Sequence, residues 1–174
     1  VLKAIETGIQ LVQQCHREGY EILATGEMGI GNTTTSTAVA AALLDLEVEQ
    51  VTGKGAGLTD EALKRKCRVF IGAAIEQIPV VIDGVISAVA ALLAETLCKG
   101  AVNYMIPSHK SRELAETAIM KKLHLDPVLD ADMALGEGTG AVMMMSMLDV
   151  GLGVYLQGAS FANFEIEQYK RYEE

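Results

Sequence analysis

The chain has 174 residues, 50% of them hydrophobic, enough for one ordinary domain whose core needs no disulfide or metal staple. Its 14 basic and 23 acidic residues leave a formal charge of −9, which disfavours a nucleic-acid partner because phosphate neutralisation needs a basic surface. An anionic small ligand stays open to it, held by helix N-termini and a few placed lysines.

In chain order, Leu2, Ile5, Ile9 and Val12 recur at helical spacing, and Gly19 is a C-terminal stop. Residues 21–25 read as a strand running into the glycine-rich turn Gly26-Glu27-Met28-Gly29-Ile30-Gly31-Asn32-Thr33-Thr34-Thr35, and Ala-rich sequence to Leu44 reads as a buried helix. Val48 to Thr52 reads as a second strand, followed by Gly53-Lys54-Gly55-Ala56-Gly57 and a helix from Thr59 through Phe70. Ile78 to Ile82 is a β-branched run ending in Asp83-Gly84, and a helix is expected from about Ile86 to Cys98. Val102 to Ile106 reads as a strand, Arg112 to Leu123 as a helix, Pro127 to Asp130 as extended, and Gly136-Glu137-Gly138-Thr139-Gly140 opens the last long helix.

Strand, polar turn and helix, repeated about five times, predict an α/β fold with a largely parallel sheet flanked by helices, Rossmann-like, in a single domain spanning 1–174. Such sheets bind ligands beyond the carboxyl ends of their strands, where the polar turns are expected to gather. No metal site is expected, because Cys15, Cys67 and Cys98 lack ligand spacing and read as reduced thiols. No membrane span is expected either, since the longest uncharged run, Met28 to Leu44, is interrupted by Asn32 and by threonines and serine.

The turns carry the chemistry. Gly26, Gly29 and Gly31 permit close backbone approach, and Asn32, Thr33 and Thr34 open a helix whose free N–H groups suit an anion. A Walker loop is excluded, because no lysine follows the last glycine. Glu27 beside an anion site is electrostatically costly unless it meets something else, such as ribose hydroxyls or a reacting base. Lys54 and Lys66 are either solvated or point-charge phosphate binders. Asp83 is either a turn or cap residue or a ligand contact. Ser108, His109 and Ser111 offer hydroxyls and an acid–base group at a strand end, and Ser111 could instead cap the next helix. The Met143-Met144-Met145 run reads as helix packing. Glu137, held between glycines at a helix start where the dipole favours negative charge, is a candidate general base. Two glutamates in two glycine-rich turns suggest carboxylates converging on one ligand.

Taken together, residues 26–34, 52–57, Ile82-Asp83-Gly84, Ser108-His109 and Leu135 to Ala141 resemble, in the same order, the nicotinate-nucleotide:dimethylbenzimidazole phosphoribosyltransferase family. The resemblance implies transfer of phosphoribose from nicotinate mononucleotide to 5,6-dimethylbenzimidazole, with inversion at the anomeric carbon, giving α-ribazole 5′-phosphate and nicotinate in cobalamin nucleotide-loop assembly. It implies Glu137 as the base and Glu27 as support for the attacking base or the developing ribosyl cation. It assigns phosphate, ribose and neighbouring contacts to Gly29, Gly31, Asn32, Thr33, Thr34, Gly53, Gly55, Lys66, Asp83, Ser108 and Ser111. It implies no cofactor, a cytoplasmic homodimer, and no nucleic-acid or membrane partner.

The chain departs from the family in two ways. Family members extend further on the N-terminal side, where part of the acceptor pocket is built. They also carry a segment where Phe70 here runs straight into Ile71. The chain is therefore expected to be an incomplete part of a longer protein. Two alternatives share its motifs: a catalytically impaired paralogue that binds nucleotide or benzimidazole, and a phosphoribosyltransferase using another acceptor base.

Overall fold

The computed structural model describes residues 2–28, 33–51, 60–159 and 163, without the side chains of 2–5, 33–34, 48–49 and 60–67. Three parallel strands, β1 (Leu23–Ala24), β2 (Val80–Ile82) and β3 (Met105–Pro107), form a sheet in the order β1-β2-β3. Leu23 pairs with Val80, and Val80, Val81 and Ile82 pair with Met105, Ile106 and Pro107. β2 is central and its three residues are fully buried, which explains a continuous β-branched run rather than an alternating one. Val80 and Ile82 face the main core, whereas Val81 packs with Ala141 and Met144 on the opposite face, as the two-residue period of a strand requires.

Helices cover both faces. α1 (Leu2–Arg17) packs on α4 (Asp60–Glu76), and α5 (Val85–Leu97) lies between α4, α2 (Thr33–Leu44) and α6 (Leu114–Leu123). α5 is buried nearly all round, with Ala88, Ala90, Ala91 and Ala94 letting its neighbours approach. α1 ends as its sequence indicates: Gly19 has φ +88°, and the Tyr20 N–H bonds to the Cys15 carbonyl at 3.0 Å.

Several expected boundaries move. Of the strand expected from Val48 to Thr52, the described residues form a helix instead: α3 (Val48–Val51) is a single helical turn that buries Val51. The Gln50 side chain accepts the Glu47 N–H at 3.2 Å, a local cap that outcompetes the β preference of the two valines. Residues 101–104 form a 3₁₀ turn ahead of β3, because the Glu95 carboxylate accepts the Gly100 and Val102 N–H groups at 3.1 and 3.0 Å. α4 continues through Phe70–Ile71 to Glu76, and α6 starts at Leu114 with Glu113 as its N-cap. Three strands are therefore seen among the described residues, with Leu129 adding a parallel bridge to His109 beyond β3.

α7 (Thr139–Gln157) is anchored at one end only, through Gly140, Ala141 and Met144. Its 19 residues, with mean hydropathy 1.4 over an 18-residue window, are by length and composition enough to cross a membrane, a run the sequence reading did not single out. The expectation weighs charge-free runs, and Asp149 interrupts this one without lowering its hydropathy enough.

The α1–α4 crossing depends on Gly72. A Cβ there would sit 3.1 Å from the Ile9 Cα and 3.2 Å from the Val12 side chain. Gly72→Val is expected to destabilise the fold by about 1–3 kcal/mol in urea unfolding, the usual cost of overpacking.

Candidate functional site

Asp83 follows β2 and is 2% exposed. Its Oδ2 accepts the Gly138 N–H and its Oδ1 the Gly140 N–H, both at 2.9 Å. The carboxylate thus sits at the N-terminus of α7, where free N–H groups and the helix dipole favour an anion. These two N–H groups are spent on a built-in anion, so the start of α7 is a clamp rather than an open phosphate site. Of the two roles open to Asp83 in the sequence, cap or ligand contact, the geometry gives it the capping work while leaving it in the wall of the cleft.

The clamp shapes the turn that carries Glu137. Gly136, Glu137 and Gly138 have φ of +74°, +58° and +83°, three left-handed residues in succession. Glycine accepts that conformation freely, whereas Glu137 does so at a cost of about 1–2 kcal/mol. A glutamate kept there against its backbone preference is a mark of function. The Glu137 N–H donates to the Glu27 carbonyl at 3.1 Å, joining the two turns directly. Their approach needs Gly26: a Cβ at that position would lie 2.9 Å from the Gly138 Cα and nitrogen.

Both glutamates line one cleft of about 280 Å³, together with Asp83, Ser111, Arg112, Glu113 and the start of α5. Four carboxylates and one guanidinium therefore border the space. Arg112 is an exposed partner of Asp132, with its Nε 2.6 Å from Oδ1. Such a wall suits a ligand that develops positive charge at its reacting centre. It repels a phosphate unless the phosphate lies elsewhere.

The third element is the loop after β3. The Ser108 N–H continues the sheet by bonding to the Ile82 carbonyl at 3.2 Å. Ser108 is buried and its Oγ contacts the Asp83 carbonyl at 3.4 Å and His109 Nδ1 at 3.0 Å. Burial lowers the His109 pKa, and the Asp83 charge opposes that shift. The ring fills the space left by Gly140, where any Cβ would overlap it. Ser111 is not a helix cap; its Oγ accepts the Glu113 N–H at 3.1 Å.

Of the sequence candidates, Glu27, Asp83, Ser111 and Glu137 are brought to one cleft, with Ser108 behind it. Gly29, Gly31, Asn32, Gly53 and Gly55 lie outside the described residues, as do the side chains of Thr33, Thr34 and Lys66. The segment expected to be the strand before residues 53–57 is α3 instead. Sequence reasoning misses Glu116, a buried carboxyl on α6 whose only sequence signal is a charge in a mostly apolar run.

Asp83→Asn presents an amide N–H₂ to a backbone donor, leaving one buried N–H unmatched. It is expected to cost about 1–3 kcal/mol of stability in urea unfolding.

Comparison with known proteins bears on what the cleft does. The family model DBI_PRT, described as phosphoribosyltransferase, matches residues 1–70 and 69–166. The nicotinate-nucleotide–dimethylbenzimidazole phosphoribosyltransferase of Clostridium acetobutylicum is 41% identical, over 97% of this chain and 57% of its own length. The protein of that name from Acetivibrio thermocellus is 40% identical over 97% of this chain and 58% of its own. The crystal structure of CobT from Thermus thermophilus superimposes with a TM-score of 0.85 at 30% identity, over 95% of this chain and 59% of that one. The chain thus spans somewhat more than half the length of the curated relatives it matches.

Proposed function

This chain belongs to the DBI_PRT family of phosphoribosyltransferases, and we propose from that premise that it moves phosphoribose from nicotinate mononucleotide to 5,6-dimethylbenzimidazole. The observation that carries the proposal is the meeting of Glu27 and Glu137 in one cleft, on turns hydrogen-bonded to each other. The names of the relatives supply the substrate pair.

The chemistry asks little beyond what such a cleft offers. As the acceptor nitrogen attacks C1′ from the face opposite nicotinate, the bond between C1′ and the nicotinate nitrogen breaks. Its electron pair returns to the pyridine ring, so the leaving group needs no proton. The acceptor must lose its own N–H proton, and the Glu137 carboxylate takes it. To Glu27 falls the steadying of the positive charge that spreads over the ribosyl ring. Holding two planar rings on opposite faces of one sugar supplies much of the remaining acceleration. In this proposal, the phosphate and ribose contacts fall to Gly29, Gly31, Asn32, Thr33, Thr34, Gly53, Gly55, Lys66, Ser108 and Ser111, while Asp83 holds the turn that presents Glu137. The setting proposed is the cytoplasm, and the pathway cobalamin nucleotide-loop assembly.

Glu137→Gln is expected to leave folding intact and to lower turnover by on the order of 10²-fold or more, the scale of general-base catalysis. Turnover is read as nicotinate release in the presence of dimethylbenzimidazole. Near-normal release in that variant removes Glu137 from the role. The partial span of the chain favours one second reading, a paralogue that binds without turnover. That reading predicts saturable nicotinate mononucleotide binding and no nicotinate release with any acceptor base in a panel.

We further propose a homodimer. It is supported by the exposed C-terminal half of α7, where Val150, Val154, Tyr155 and Leu156 are 71%, 70%, 83% and 74% exposed. Apolar side chains clustered in this way usually mark a contact surface. Sedimentation is expected to give twice the chain mass, and Val150→Lys to shift the species toward monomer. A wild-type monomer at micromolar concentration overturns this proposal.

A further inference from the structure

Glu116 stands on α6 with 2% of its surface exposed, among the most buried charged side chains described. Its Oε2 accepts the main-chain N–H of Ser111 at 2.9 Å. Its Oε1 is also buried and has no hydrogen-bond partner among the described residues. Ser111 lines the cleft beside Glu27 and Glu137, so the carboxyl braces a wall of the site from behind. Neither the family motifs nor the reaction above uses this residue.

A backbone brace needs one acceptor, which an amide would supply. An ionised carboxylate held by Ser111 alone, with its second oxygen buried and unbonded, is poorly compensated for the loss of water. Burial accordingly pushes the Glu116 pKa up to about 7; hydrogen bonds from Ser111 pull against it, and the charges of Asp83 and Glu113 add to the rise.

α2, α3 and α5 pack most heavily on α6, and none of the three carries a lysine, arginine or histidine to answer that charge. α2 holds no ionisable residue. The one carboxylate of α5, Glu95, is spent on Gly100 and Val102. α3 carries Glu49, whose side chain is not among those described. Lys110 and Lys121 border a neighbouring cleft of about 370 Å³ that Glu116 also touches, and Lys110 is paired with Asp130.

We propose that Glu116 is a positioning residue: through the Ser111 main chain it sets the 108–113 loop against the cleft, and its neutral acid form is the one in which the cleft accepts an anionic nucleotide. When Glu116 ionises, a negative charge appears directly behind a wall that already presents four carboxylates. The bond to Ser111 persists and shortens, but the field on an incoming phosphate becomes more repulsive. The proposal rests on the phosphoribosyl reading only for the identity of the ligand.

The test compares the protein with Glu116→Gln, which keeps the acceptor and cannot ionise. Carbon-13 carboxyl resonances of the free protein should include one, absent from the variant, that titrates near pH 7. The Ser111 amide nitrogen should follow with the same midpoint in the wild type and stay flat in the variant. Between pH 6 and 8 the KM for nicotinate mononucleotide should rise about 3- to 10-fold more in the wild type than in the variant, with kcat changing alike in both. A Glu116 midpoint near 4.5, a Ser111 amide indifferent to it, or identical KM profiles would each overturn the proposal. If nicotinate mononucleotide binds neither protein at any pH, the functional reading fails, and the same comparison with inorganic pyrophosphate as anionic probe decides the role of Glu116. Should the variant not fold, the two wild-type titrations still decide it.

Discussion

The site hangs on one buried carboxylate. Asp83 leaves the central strand and binds two backbone N–H groups at the start of α7. Charge-assisted bonds of this kind stabilise by about 1.5–3 kcal/mol each. Their effect here is geometric as much as energetic. They tie the end of the most buried strand to the turn that holds Glu137 in a left-handed conformation. That turn in turn receives the Glu27 turn through a backbone bond and the bare surface of Gly26. Three segments distant in sequence therefore share one rigid corner.

The corner has an electrostatic consequence. A helix N-terminus ordinarily invites a phosphate, yet at α7 the protein has filled that position with its own anion. The cleft beside it is rich in carboxylates, which suits proton acceptance and the steadying of a positive charge. The proposed substrate, anionic at its phosphate and transiently cationic at its sugar, would meet this acidic corner with its sugar rather than its phosphate.

Much of this was legible along the chain. The helical spacing of α1 with its Gly19 stop, the β-branched run of β2, and the Gly-Glu-Gly opening of α7 all act through near neighbours, and each stands where local chemistry puts it. The family motifs were readable for the same reason: a glycine that must admit a backbone or a ligand cannot be replaced by a residue of similar polarity. Local reading failed where a side chain several residues away took over. Two valines at 48 and 51 favour a strand, but the Gln50 cap and the burial of Val51 make a helical turn. The Glu95 carboxylate bends 101–104 into a 3₁₀ turn in the same way.

Sequence by itself determined the fold class, the order of the polar turns and the residue types able to do the chemistry, because hydrophobic period, glycine spacing and turn composition depend only on neighbours along the chain. Tertiary structure decided what those residues do to one another. Asp83 reaches across 55 and 57 positions to Gly138 and Gly140, the two glutamates are joined by a single main-chain bond, and Glu116 is left half-satisfied beneath Ser111. Contacts of that range exist only once the sheet has formed and the helices have closed over it. Burial then gives each carboxyl a character that no residue type carries alone.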